Sequence, residues 1–483
     1  MAKKLLFVTF LLFSISEAFA QHEVNLFSTA GRGVATTFVN DYHAIGINPA
    51  NLGRKKYENK TVTFGLLEGG VSLYSGIINR TDLNRITGDD ERFTYEQKLE
   101  AARNFTNSPF AFNLNMMPLG IAVQTENVGG FAFSMRDQVS LFSTFSEKFT
   151  ELLFLGFGSQ NFDRLVLHDG RSFPNTPENY EQYRNQVQYG IANTPTNFSE
   201  IFEGSRVSFH WYREYNLSYG KEVYYNDLVS ISGGVGLKYL QGFGIMDVSA
   251  ENGFRASAAF TPAINPYGED FGGPSARSDG NILTPAGTGF GLDFGVNFIY
   301  KDRTKVGFAV TNIGSITYNA NAYSINDFQL TDFASPGADG YAFIEELSEF
   351  EGMYDPINYE GKQKLTYKLP TVWRFGASQA LEDDRAEIGF DIVVPGNNAP
   401  GNFDRAIYSL GGDVKPLKFL RLSSGLSYGG NFGKRLLVPI GVTLIAGENG
   451  TYEMGFASRD FISFFKDNNP ALSFAFGFLR FRI

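Results

Sequence analysis

The stretch GFGLDFGVNFIY, residues 289–300, alternates without a break. Phe290, Leu292, Phe294, Val296, Phe298 and Tyr300 fall on one side; Gly291, Asp293, Gly295 and Asn297 fall on the other. Successive side chains of a strand point to opposite faces, so this is a strand with one strongly apolar face and one small or polar face. Residues 207–219 repeat the pattern. There Val207, Phe209, Trp211, Tyr215, Leu217 and Tyr219 oppose Ser208, His210, Glu214, Asn216 and Ser218, with Arg213 interrupting the apolar side. The runs 229–239, 438–444, 452–456 and 472–478 alternate in the same way.

Two architectures write this pattern. A soluble sandwich or barrel buries the apolar face, whereas a transmembrane barrel turns it to lipid and keeps the polar face inside. Run length separates them. Soluble strands average about five or six residues, while several runs here approach the roughly 9–11 that a tilted spanning strand needs. The connections also fall into two kinds. QTENVGG (124–130), YKDRTK (300–305), ALEDDRAE (380–387) and AGENGTYE (446–453) are short and polar; 78–109, 158–204, 245–287, 319–369 and 395–404 are long. Short turns at one end and long loops at the other are the habit of outer-membrane barrels. The expected fold is therefore all-β: a transmembrane antiparallel barrel of about fourteen strands over 58–483, with long extracellular loops.

Composition agrees. The chain carries 53 Gly, 48 Phe and 24 Tyr but two Trp, a mixture that favours strands over helices. Lys3 and Lys4, the apolar run 5–15 and Ala18-Phe19-Ala20 read as a secretory signal peptide over residues 1–20. The expected location is accordingly the cell outer membrane. There is no cysteine, hence no disulfide and no lipid-bearing thiol. A net charge of −10 excludes nucleic acid as a natural partner, because that binding rests on cations that neutralise phosphates.

Three loop stretches have helical composition: 92–105, 177–193 and 341–353. They read as helices folded over the barrel mouth, or as a partner-binding surface. The last strand shifts phase by one residue, from Phe478 to Leu479, with Arg480 and Arg482 taking over the small-residue side. Such a shift implies a bulge, or an outward aromatic band meeting an inward one. A strand that runs to the chain end closes the barrel against the first strand, expected from Thr61 to Leu67.

The segment GRGVATTFVNDYHAIGINPANLG (31–53) precedes that first strand. Proline biases Asn48 away from helix, so a short helix ending near Ile47 is expected to stop there. Asn48 can then cap a new turn with Pro49 at its first position. A rigid helix, break and turn of this kind suits a barrel lumen, where irregular backbone is tolerated.

With its glycines, short helix and Asn-Pro-Ala tripeptide ahead of the first strand, this opening resembles that of the FadL/TodX-like outer-membrane family, and is similar to PorV-like barrels. The matching positions are Gly31, Gly33, Ala44, Asn48, Pro49, Ala50 and Gly53, and 117–135 looks like the family's early hairpin. The resemblance implies that residues 21–57 form a plug inside the barrel, with Gly31, Gly33, Asn48, Pro49, Ala50 and Gly53 as its motif. It implies transport of small hydrophobic molecules such as long-chain fatty acids. Departures are the longer loops and the final Ile483 in place of a terminal Phe. Whether the plug is fixed or moves as a gate stays open, and no ligand-binding residue is identified.

Catalytic patterns are absent. His22 and His168 lie in a tail and a loop, His43 on the plug, and His210 on the lumen side of its strand. There is no HExxH, EF-hand spacing or phosphate loop; Asp383, Asp384 and Glu387 read as turn residues. No enzyme activity, cofactor or metal is expected. Two function classes follow: a channel for a hydrophobic small-molecule ligand, or an accessory barrel that binds an outer-membrane or secreted protein, as in type IX secretion. In both, outer-membrane lipid surrounds the wall.

Overall fold

The structure, a computed structural model, describes residues 26–54, 62–76, 93–125, 127–250, 253–264, 273–338, 359–381, 385–432, 435–447, 451–465 and 471–483. The signal-peptide expectation, the helix expected at 341–353, the plug boundary at 57/58, His22, Asp383 and Asp384 lie outside them.

Fourteen strands close into one antiparallel ring in which each strand pairs with its neighbours in sequence. They are β1 (Val62–Ser75), β2 (Phe110–Thr125), β3 (Gly129–Thr144), β4 (Arg206–Tyr225) and β5 (Val229–Ser249). Next come β6 (Gly287–Tyr300), β7 (Thr304–Tyr318), β8 (Val372–Leu381), β9 (Ala386–Pro395) and β10 (Ile407–Leu417). The ring ends with β11 (Leu420–Gly429), β12 (Ile440–Ala446), β13 (Tyr452–Ser458) and β14 (Ala471–Arg482). β14 pairs with β1, Phe474 opposite Val71, so this sheet has no free edge to satisfy. Connections at one end of the ring are short, as at 226–228, 301–303 and 418–419; all the long loops leave from the other.

The two faces invert the order of a soluble protein. Outside, Phe290 is 65% exposed and Leu217, Val235, Leu237, Tyr408 and Leu410 are also bare. Inside, Arg136, Lys238, Glu214, Asp293 and Arg480 are buried. Apolar outside and ionic inside is the arrangement that lipid stabilises and water does not. Lys238 is paired twice: its Nζ lies 3.0 Å from Glu214 and 3.1 Å from Asp293, and the Asn216 amide donates to both carboxylates. Arg213, outward, forms a bidentate pair with Asp137 at 2.8 and 3.0 Å.

At the loop end a cap folds on itself. The helix Tyr95–Phe105 begins with a capping box between Thr94 and Gln97. Its Phe105 ring meets Phe154 edge-on at 4.8 Å in a core with Leu152, Phe198, Ile201 and Phe333. Strands 164–167, 172–174, 187–197 and 329–333 form a separate small sheet.

Several expectations need correction. The helix expected over 177–193 stops at Tyr183, and Val187–Asn197 is a strand, because pairing with 164–167 and 329–333 takes its backbone groups. Strand β1 runs to Ser75, well past Leu67. Glu387 is a β9 residue, not a turn residue, and its carboxylate holds Lys305 Nζ at 2.9 Å. The phase shift near the chain end is a bulge: pairing of β13 with β14 slips between Glu453 and Gly455, leaving Phe478 and Leu479 both outward.

Candidate functional site: the plugged lumen

Residues 26–54 pass through the barrel interior and touch every strand. Each strand contributes one inward glycine at the contact. In strand order these are Gly65, Gly120, Gly130, Gly220, Gly234, Gly295 and Gly307, then Gly376, Gly389, Gly411, Gly425, Gly441, Gly455 and Gly477. The Tyr42 ring covers Gly65 and Gly120, the Arg32 carbonyl covers Gly411 and Gly425, and the Phe27 ring covers Gly455 and Gly477. Pro49 lies against Gly220 and Gly234, and the Asn48 amide lies over Gly295 and Gly307. A Cβ at any of these strand positions would meet the segment or its immediate surroundings, so close approach, not conformational freedom, requires glycine there.

Buried polar contacts pin the segment. Arg480 of β14 reaches Asp41 at 2.6 Å and Glu453 of β13 at 2.5 Å. His43 bridges Ser28 at 2.9 Å and Glu68 of β1 at 2.6 Å, and Tyr42 donates to the same carboxylate at 2.5 Å. Asp391 of β9 accepts from the backbone N–H of Ala35 at 2.6 Å and Thr36 at 2.9 Å. Arg32 pairs with Asp413 of β10.

These contacts explain a further correction. No α-helix runs into Asn48; 3₁₀ turns occupy Asp41–Ala44 and Pro49–Gly53. Asn40 is extended and Asp41, held by Arg480, takes φ 52°, so the backbone leaves the helical region before Asn48 and the tertiary contact overrides propensity. The stop at Asn48 is present. Its side chain accepts from Ala50 N–H at 3.1 Å and donates to Val296 O at 3.4 Å, and Pro49 opens the second turn.

Asn48, Pro49, Ala50, Gly31 and Gly53 are all buried, and Gly33 takes a positive φ of 72°. They are not gathered into one pocket: Gly31 sits back to back with Gly441 of β12, whereas Gly53 lies against Lys221 of β4. Sequence reasoning missed Asp41, Glu68, Asp391, Glu453 and Arg480. The available signal was charge on the inward register of otherwise apolar strands.

Among the described residues, one pair of neighbouring strands loses its ladder for several positions. β1 pairs with β2 from Val62 to Glu68 and again at Ser75. Between these, Gly69–Tyr74 pair with β14 and Ala111–Met116 pair with β3. Leu67 has φ 52°, which turns the strand, and Pro118 has no N–H to donate. The Met116 thioether stands over Gly69 in the gap.

Among the described residues no group of three His, Asp or Glu side chains is placed to hold a metal ion. His168 is exposed, and His210 is buried with its ring 4.5 Å from that of Tyr212.

The fold is similar to a monoaromatic hydrocarbon channel, a TodX deltaS2S3 mutant, at 11% identity and TM-score 0.44 over 94% of this chain and 97% of that one. It is also similar to the Ralstonia pickettii toluene transporter TbuX, at 11% identity and TM-score 0.43 over 96% and 100%. A Pseudomonas aeruginosa FadL homologue aligns at 13% identity and TM-score 0.37 over 96% and 97%. No curated protein matches. One family model covers residues 180–436, from the cap through β4 to β11. That is more than half of the sequence, and the chain belongs to this family, DUF5723, a family of unknown function.

Proposed function

We propose that the protein is an outer-membrane channel for small hydrophobic molecules, whose axial route is blocked by the plug and whose exit is lateral. The observation that carries this reading is the break between β1 and β2. Fixed contacts to all fourteen strands close the lumen lengthwise, while the stretch of β1 and β2 that lacks ladder bonds is the seam where the wall parts most readily towards the apolar outer face. A solute that partitions into lipid is the kind that such a slit can release. Residues 21–57 act as the plug, with Asn48, Pro49 and Ala50 fixing its path; long-chain fatty acids are one ligand class of the right character.

The test is a lock across the slit. The chain has no cysteine, so Ser72→Cys with Asn113→Cys, both inward residues beside the gap, can join only each other. Uptake of 1-N-phenylnaphthylamine by intact cells should fall to background in the oxidised variant and return on reduction. Unchanged uptake in the oxidised form removes the lateral route. Background uptake by the unaltered protein removes the channel.

The cap favours a second reading, an accessory barrel that binds an outer-membrane or secreted protein, since a simple pore needs no independent core outside the wall. A stoichiometric protein retained in mild detergent would favour it; a co-purifying hydrophobic ligand would favour the channel.

A further inference from the structure

We propose that the loop 396–406 is the outer gate of this channel, a strap latched across the mouth by Arg206 and Asp404. The proposal rests on the channel reading above.

The strap joins β9 to β10, and its base is fixed on that side of the ring. The Asn397 amide donates to Leu369 O at 2.8 Å and to Thr371 Oγ1 at 3.0 Å. Asn402 donates to Thr371 O at 3.0 Å, and Phe403 packs with Val372, Val393 and Ile407. Its tip touches the far wall. A Cβ on Gly401 would lie 2.7 Å from Ser140 Oγ and 3.3 Å from His210 Nδ1, which are cross-strand partners on β3 and β4. β3 and β4 stand nearly opposite β9 and β10 in the ring, so the loop bridges the lumen. Gly401 has φ 84°, a conformation that glycine adopts without strain, and the missing side chain is what lets the tip approach Ser140 and His210.

The far-side attachment runs through Arg206, and the Asp404 N–H also donates to Asn431 Oδ1 at 3.0 Å. Arg206 reaches Asp404 Oδ1 at 3.1 Å and Asn398 O at 3.1 Å. The Arg206 side chain is 15% exposed and that of Asp404 45%, so this pair is partly screened, whereas the Asp41–Arg480 pair that holds the plug is sealed from water. Of the two closures, the strap is therefore the one held by the more exposed ion pair. Its release uncovers the upper lumen; the plug stays seated.

Two measurements test the gate. A Ser140→Cys protein carries one thiol, under the strap, for a membrane-impermeant thiosulfonate applied to intact cells. Adding Asp404→Ala or Arg206→Ala should speed labelling several-fold, the population gain expected from losing a partly screened pair. Equal rates overturn the latch. In the second, Ser140→Cys with Gly401→Cys brings the two thiols within disulfide reach. The oxidised protein should stop uptake of 1-N-phenylnaphthylamine, and reductant should restore it. If the oxidised and reduced forms pass the probe equally and above background, the gate is wrong and the channel stands. If neither passes it, the channel reading falls and the gate falls with it.

Discussion

Asp41 of the plug and Arg480 of the last strand meet at 2.6 Å, both buried, although 439 positions separate them. The pair joins the start of the described chain to the strand that closes the ring, so seating the plug and closing the barrel are coupled. Arg480→Met should cost about 3–5 kcal/mol, because it leaves Asp41 and Glu453 buried without their nearest cation, and Asp41→Asn should cost less, because Arg480 keeps Glu453. The urea midpoint of the heat-modifiable, detergent-folded form reads this. A double variant no worse than Arg480→Met alone would show that the two act as a pair.

Deleting residues 26–54 should abolish the compact, heat-modifiable form. Strand pairing and lipid-facing aromatics alone suggest a barrel that survives the loss. The lumen argues otherwise, since Asp391, Glu68 and Arg480 would lose buried partners together. A folded deletion protein with raised ion conductance in planar bilayers would instead restore the plug as a removable part.

Gly411→Ala should destabilise by about 1–3 kcal/mol, since the new methyl strikes the Arg32 carbonyl. Gly233→Ala, also within a strand but with open space around it, should be neutral to within about 0.5 kcal/mol. Chemical unfolding of the two proteins in the same detergent makes the comparison, and equal losses would deny the plug contact.

Phe294→Arg, in the middle of the apolar run of β6, should cost about 2–4 kcal/mol in lipid vesicles. Asp293→Ala is not a cheap control, as the alternation alone would suggest. It removes one of the two carboxylates on buried Lys238 and should cost a comparable amount for an ionic reason. Adding Lys238→Met to Asp293→Ala should deepen that loss, because Glu214 then stays buried without its lysine, and should leave the Phe294→Arg cost unchanged.

Burial holds the Glu151 carboxyl of the cap above the usual range, partly offset by the Gln160 N–H that it accepts. The folded cap thus binds a proton more readily than the unfolded chain, and its stability falls as pH rises through the carboxylate range. Glu151→Gln should raise the protease resistance of the cap at pH 7 and change it little at pH 4. Identical gains at both pH values would place the effect in packing instead of ionisation.

The wall was legible in the sequence and the interior was not. Alternation over 289–300 is a local property, and it locates the strand, its lipid face and its inward Asp293 at once. Asn48 and Pro49 likewise mark a chain break from neighbours alone. The path between Gly31 and Asn48 could not be read, because Asp391, 356 positions away, captures the Ala35 N–H. The strand at 187–197 looked helical because its partner segment, 329–333, lies far along the chain. The strap is equally silent: nothing in the stretch around Gly401 announces Ser140.

The ring of bare backbone beneath the plug works as a gasket. Part of its seal is main chain, as at Pro49 and Arg32, and part is the Phe27, Tyr42 and Asn48 side chains. Divergence can therefore rewrite the plug freely only where backbone makes the seal, while the spacing of wall glycines stays put. Adding or removing a hairpin, by contrast, would change the circumference and leave the seal too short or too long. Kinship among such barrels should be sought in the inward glycine of each stave before it is sought in the plug.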